Sequence, residues 1–177
     1  KTTIEIAEKY NILVIGHIPL VNLDAFYISG QKEVAHIEEL TVKTIDDFGK
    51  SISKNPNEYI NFLKARSGQI AKKLKENNIS VTSTVWLCES FRNQRFDLKS
   101  KLKEIELKYA NPKIIEGTPL YKLGWLPGKN GYEYDGKDDT NAKKLSLIYW
   151  NTYAEAIHIM TKALVDNKVT IMAGTDA

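Results

Sequence analysis

Val14-Ile-Gly-His-Ile-Pro-Leu20 and Glu33-Val-Ala-His-Ile-Glu-Glu-Leu40 decide how this chain is read. Each carries a short apolar run that ends on a histidine: Ile12 to Gly16 before His17, and Val34-Ala35 before His36. Such a run, bounded by polar residues, reads as a buried strand. Near the other end of the chain, Val169-Thr-Ile-Met-Ala-Gly-Thr-Asp-Ala177 reads as another apolar strand, ending on Asp176. Chemistry-bearing residues at the carboxyl ends of parallel strands are the pattern of an α/β barrel. Two imidazoles and one carboxylate are the donor types of a divalent-metal site. A lone strand histidine is more often a hydrogen-bonded core residue; the weight here lies on the set of three.

Outward from these stretches, one device recurs four times: a helix end, then Asn or Gly, then an apolar strand. It occurs at Asn11 before Ile12, Gly30 before Val34, Asn77-Asn78 before Ile79, and Asp166-Asn167 before Val169. Asn and Gly tolerate the left-handed conformation that closes a helix. Strands alternating with helices through such turns imply a parallel sheet. The expected helices are Asn22 to Ser29 with Asn22 as N-cap, about Asn57 to Glu76, and about Thr140 to Asp166. In the second, Tyr59, Leu63, Ile70 and Leu74 share one face opposite Lys64, Arg66, Lys72, Lys73 and Lys75. In the third, Leu145, Tyr149, Tyr153, Ile157, Met160 and Leu164 form a core stripe, and His158 reads as a helix-surface residue.

Two connections exceed the usual 2–6 residues of a βα loop. One is 41–57. The other is 86–140, after a strand from Ser80 to Val85, with a helix expected at about Asp97 to Tyr109. In a barrel such an insertion lies on the active-site face, which makes Trp86, Tyr121, Trp125, Tyr132 and Tyr134 candidates for a substrate wall. The competing reading is a surface excursion whose aromatics pack on one another.

Bulk properties narrow the classes. The 177 residues suffice for one domain with a sizeable core. A net charge of +3, from 25 basic and 22 acidic residues, is too small and dispersed to argue for nucleic acid. No apolar run reaches the length of a membrane span. The single cysteine, Cys88, excludes an internal disulfide framework and a Cys-based zinc site. No Gly-rich strand-to-helix loop of the phosphate-cradling kind is present, which weakens a phosphate-binding reading. Residues 1–10 read as the tail of a helix, and the chain stops one residue after Asp176, so a piece of a larger protein is expected.

Gly-His-Ile-Pro-Leu, Ala-His-Ile-Glu-Glu-Leu and Ala-Gly-Thr-Asp-Ala together resemble the amidohydrolase superfamily, in its imidazolonepropionase-like and Xaa-Pro dipeptidase-like branch. Val81-Thr-Ser-Thr84 falls where such proteins have their seventh strand. The resemblance implies a TIM-type (β/α)8 barrel, of which this chain holds about strands 5 to 8 with their helices. It implies metal ligation by His17, His36 and Asp176, with Asp176 also the general base toward an attacking water. It further implies a divalent metal, zinc, as one or two ions, and a small-molecule or peptide-like substrate cleaved at an amide or cyclic amide C–N bond. Glu38 and Glu39 are candidates for orienting a ligand or meeting a substrate amine, and equally for simple solvated charges. The family's His-x-His pair on the first strand, and its bridging fourth-strand lysine or glutamate, are absent. The alternative expectation is therefore an inert αβ half-barrel with a structural or assembly role, including pairing with a copy of itself as a homo-oligomer. A secreted or periplasmic location is compatible with the resemblance, and the sequence does not decide it.

Overall fold

The computed structural model describes residues 2–19, 22–117, 125–134 and 140–174. The chain divides into two compact units, one of residues 1–88 and 152–177 and one of residues 89–151.

The first unit is α/β. Its four strands, β1 (Ile15–Gly16), β2 (Glu33–Val34), β3 (Ser80–Ser83) and β4 (Ile171–Ala173), form one parallel sheet in the order β1-β2-β3-β4. The register pairs Gly16 with Val34, Val34 with Val81, and Val81 with Ile171. Between β1 and β2 lies α2 (Leu23–Tyr27), after the leading α1 (Thr2–Lys9); between β2 and β3 lie α3 (Ile37–Phe48) and α4 (Pro56–Glu76). Parallel strands laid down in sequential order, each joined by a right-handed crossover, put their helices on the same side. Burial agrees. Val34 and Val81 face the helices and are fully buried, whereas Ile15 and Met172, which alternation sends to the other side, are exposed.

The core joins that one sheet face to the helices. Tyr59, Leu63, Ile70 and Leu74 of α4 are buried, as the periodicity predicts, and so are Tyr153, Ile157, Met160 and Leu164 of the last helix. His158 is exposed on that helix. Tyr59 brings a hydroxyl into this core, and it meets the Thr44 hydroxyl at 2.9 Å, while Thr44 in turn donates to the Thr41 carbonyl.

Turn chemistry explains the alternation. Asn11, Gly30 and Asn78 adopt positive φ (55°, 93° and 54°), as expected. At the fourth turn the left-handed residue is Lys168 (φ 55°) rather than Asn167. The Val169 N–H bonds back to the Leu164 carbonyl, as Ile12 does to Ala7 and Ile79 to Leu74. This bond closes a Schellman-type cap whatever residue takes the left-handed position. Asn167 instead turns its side-chain amide on the Ala163 carbonyl at 2.9 Å.

Several boundaries differ from expectation. Residues 41–57 are not one long connection, because Ile37–Phe48 is a helix closed by Gly49 at φ 67°. Its buried side includes Thr41 and Thr44, which hides the apolar period. The run from Ile12 is not a buried strand: Ile12, Leu13 and Ile15 are 61%, 72% and 61% exposed, since β1 is an edge strand with one covered side. β3 stops at Ser83, and α5 (Val85–Phe96) begins directly after Thr84.

The second unit holds the rest of α5, then α6 (Leu98–Lys101), two short 3-10 turns at Leu102–Glu104 and Leu107–Tyr109, α7 (Pro112–Glu116), and the first part of α8 (Thr140–Asp166). The single helix expected at about Asp97 to Tyr109 is thus broken into short pieces. Asn111 caps α7 by accepting from the Lys113 N–H, with Pro112 at its first position. Phe91 packs on Tyr132 and Trp150 with ring centres 4.7 and 5.7 Å away.

On the helical side of the first unit, α2 and α4 enclose a groove of about 330 Å³ lined by Asp24, Tyr27, Asp47, Arg66 and Lys73 among others. Its charges are mutually paired, Lys73 with Asp24 at 2.5 Å and Arg66 with Asp47 at 2.9 Å. Burial pushes the Tyr27 phenol well above its ordinary range. The Lys73 hydrogen bond and charge hold Asp24 below its usual carboxylate value. A lowered folded-state value stabilises above the unfolded pKa, and that contribution fades as pH falls through the folded one. Asp24→Asn is expected to lower the urea midpoint slightly at neutral pH. The difference from wild type should close on acidification below the ordinary aspartate range, which parallel urea titrations across pH will check.

Candidate functional site

His17 and His36 leave the carboxyl ends of neighbouring strands, and their rings come together with centres 4.7 Å apart at a 53° tilt. Local sequence produces this. β1 ends at Gly16, whose φ of 151° lies outside what L-residues readily adopt. A Cβ built there meets nothing within 4 Å, so the requirement is conformational and not steric. Gly16→Ala is expected to cost about 1–3 kcal/mol through backbone strain alone, measured by urea denaturation. β2 ends where His36 takes the N-cap position of α3 in an extended conformation (φ −142°, ψ 132°), with the Glu39 N–H bonding its carbonyl at 3.0 Å.

Starting α3 directly after His36 places Glu38 and Glu39 in its first turn, where the helix dipole favours carboxylates. The two reach opposite ways. Glu39 Oε1 accepts from His17 Nδ1 at 2.9 Å. A carboxylate can only accept there, so Nδ1 carries the hydrogen of this bond. Glu38 accepts from the buried Thr84 hydroxyl at the end of β3, and the Cys88 thiol lies 3.8 Å from the same oxygen. Glu33, on the uncovered side of β2, accepts from the Thr82 hydroxyl of β3. Glu39 and Glu38 thus tie α3 to the ends of β1 and β3, Glu33 joins β2 to β3, and none of the three is a plain solvated charge.

A residue without a sequence signature stands behind this arrangement. Gln31, only 5% exposed, sends its side-chain amide to the carbonyls of Glu33 (2.7 Å), Gly16 (2.8 Å) and His17 (3.2 Å).

Asp176, the expected third ligand and general base, lies outside the described residues. The strand leading to it passes close to β3: a Cβ on Gly174 would stand 2.5 Å from Thr82 Cγ2, and the Gly174 N–H bonds the Ser83 carbonyl at 3.0 Å. Among the described residues no three His, Cys, Asp or Glu side chains are placed to share an ion. Imidazole is one of the donor types that zinc takes.

Of the proposed wall residues, Trp86 belongs to the first unit and is exposed on the first turn of α5. Tyr121 lies outside the described residues. Within the second unit, Tyr132 packs on Phe91, and Tyr134 stacks on Phe96 with Arg95 5.4 Å from its ring. The Trp125 N–H bonds the Ile115 carbonyl at 2.8 Å. For Tyr132 and Tyr134 packing within the unit accounts for the rings. A cavity of about 230 Å³ adjoins Tyr134, between Arg95, Phe96, Lys99, Glu133 and Lys143.

Among the described residues no helix is long and apolar enough to cross a membrane. Comparison with known proteins finds no matching family model, no matching curated protein and no matching solved structure.

Proposed function

We propose that the strand-end histidines are half of a divalent-metal site, zinc by donor type, in a hydrolase that cleaves an amide or cyclic amide C–N bond. The observation that carries the reading is the meeting of His17 and His36 at adjacent strand ends, with Glu39 holding the Nδ1 face of His17. A carboxylate behind a ligand imidazole sets its tautomer and raises its basicity. The sheet supports the fold half of the proposal. Among the described residues, four parallel strands run in sequential order with one face buried under helices, an arrangement that a barrel wall shares with an open two-layer sheet. A (β/α)8 barrel of which this chain forms about strands 5 to 8 accommodates both the layout and the amidohydrolase-like motifs.

In that reading His17 and His36 would hold the ion, with Asp176 as the third donor, and the chemistry supplied there would be activation of a water and polarisation of the scissile carbonyl. Asp176 takes the proton of the attacking water and returns it to the leaving nitrogen. Glu39 keeps His17 in the ligating tautomer, and the Glu38–Thr84 link fixes the turn of α3 that carries Glu39. A substrate enters from the uncovered side of the strand ends. The second reading, an αβ half-barrel whose role is assembly, draws on the same uncovered face and open sheet edges.

Equilibrium dialysis against Zn(II), followed by elemental analysis of the protein, separates the two. Uptake near one ion per chain, displaced by a chelator, is the expected result. A chain that stays metal-free at micromolar Zn(II) counts against the metal-site reading.

A further inference from the structure

We propose that Gln31 is a positioning residue for His17: its side-chain amide holds the end of β1 so that the imidazole is presented beside His36. The inference rests on the metal-site reading above.

The His17 side chain is 67% exposed. At that exposure its direction depends on where the backbone aims it as well as on what meets its ring. Glu39 holds the ring. The β1–β2 ladder covers two residue pairs and ends at Gly16, whose conformation departs from a regular strand. The Ala35 N–H holds the Gly16 carbonyl at 2.9 Å. Gln31 adds a restraint that reaches one residue further, to His17. Three carbonyl oxygens, those of Gly16, His17 and Glu33, converge on one end of its side chain. That convergence identifies the end as the NH2 group, because an amide oxygen facing three carbonyls would be repelled by all of them. With two hydrogens and three acceptors, one hydrogen is shared.

The bonds span both strands. Gly16 and His17 lie at the end of β1, and Glu33 lies in β2, three residues before His36. The amide therefore couples the path of the peptide bearing His17 to the strand bearing His36. Burial makes the coupling stiff: at 5% exposure, water offers little competition for these carbonyls. Ligand sets tolerate only about 0.5 Å of misplacement, so releasing this end of β1 should weaken ion capture even with both histidines present.

The test is a Co(II) titration of the whole chain, followed by visible absorption, alongside urea denaturation of the metal-free protein. Gln31→Met keeps the length of the side chain and removes both donors. Gln31→Asn keeps the amide on a side chain one methylene shorter and is the milder variant if the first folds poorly. Leu74→Ala, buried in the last turn of α4 beside the start of β3, opposite the carboxyl end of that strand, is the control for lost stability alone. The expected result is a roughly 10–100-fold loss of Co(II) affinity in both Gln31 variants, the range found for residues that orient ligands, with wild-type affinity in Leu74→Ala despite its lower urea midpoint. Wild-type affinity in Gln31→Met and Gln31→Asn overturns the proposal and leaves the metal site standing. So does an equal loss in Leu74→Ala, which would reduce the role of Gln31 to general stability. A wild-type chain that takes up no Co(II) overturns the metal-site reading itself, and this inference with it.

Discussion

His17→Ala is expected to abolish stoichiometric metal uptake, and His36→Ala to do the same. Structural zinc sites with four ligands have apparent binding free energies of about 10–16 kcal/mol. A quarter of that per ligand corresponds to roughly a 100- to 1000-fold loss of affinity for each histidine removed. The substitutions should cost little in folding. His17 is exposed, and His36 caps α3 through its backbone and not its ring. The control is His158→Ala, on the exposed side of α8, which should bind as wild type does. Dialysis with metal analysis reads all three proteins. Retained uptake in His17→Ala would remove the basis of the site. Glu39→Gln tests the same geometry more gently. It keeps a partner for the ring and loses the charge, so a smaller loss is expected than for either histidine.

Phe26→Ala is the substitution with the largest expected effect on folding. α2 has only five residues, too few for a helix to persist on its own. Its cap is good, since Asn22 Oδ1 accepts the Ala25 N–H at 2.8 Å, but a cap adds only about 1 kcal/mol. Packing does the rest: Phe26 is fully buried, and Leu23 and Tyr27 are nearly so. Truncating a buried phenylalanine costs about 3–5 kcal/mol. For a chain of this size each kcal/mol moves the melting temperature by about 2–4 °C, so a fall of at least about 6 °C is expected by calorimetry. A change under about 2 °C would mean that α2 does not contribute to the cooperative core.

The sequence was most legible where one force acts alone. The stripes of α4 and α8 follow helical spacing because apolar burial decides them, and three left-handed turn residues could be named because Asn and Gly are the residues that tolerate that conformation. Legibility failed where two forces overlap. α3 was hidden because Thr41 and Thr44 occupy buried positions, with Thr44 satisfied by a carbonyl and by Tyr59, so the apolar period is broken. α5 was hidden for a different reason: Cys88 is its one buried residue. At the site, the two histidines were readable as residue types at strand ends. The division of labour between Glu38 and Glu39 was not, because neighbouring positions on a helix point about 100° apart and only the fold says what each direction meets. Gln31 was invisible, since a side-chain amide serving three carbonyls has no spacing rule.

The edge position of β1 has a further consequence, for the order in which the molecule loosens. An edge strand is paired on one side alone, so even with Gln31 at its end its amides should exchange with solvent through local openings that leave β3 and α4 intact. His17 rides on that strand. An ion gripped by both histidines would bind the closed form alone, and mass action would then raise the protection of β1 in proportion to the logarithm of its concentration. Amide exchange at Ile15 and Gly16, with and without Zn(II), would report the site from the strand that bears it.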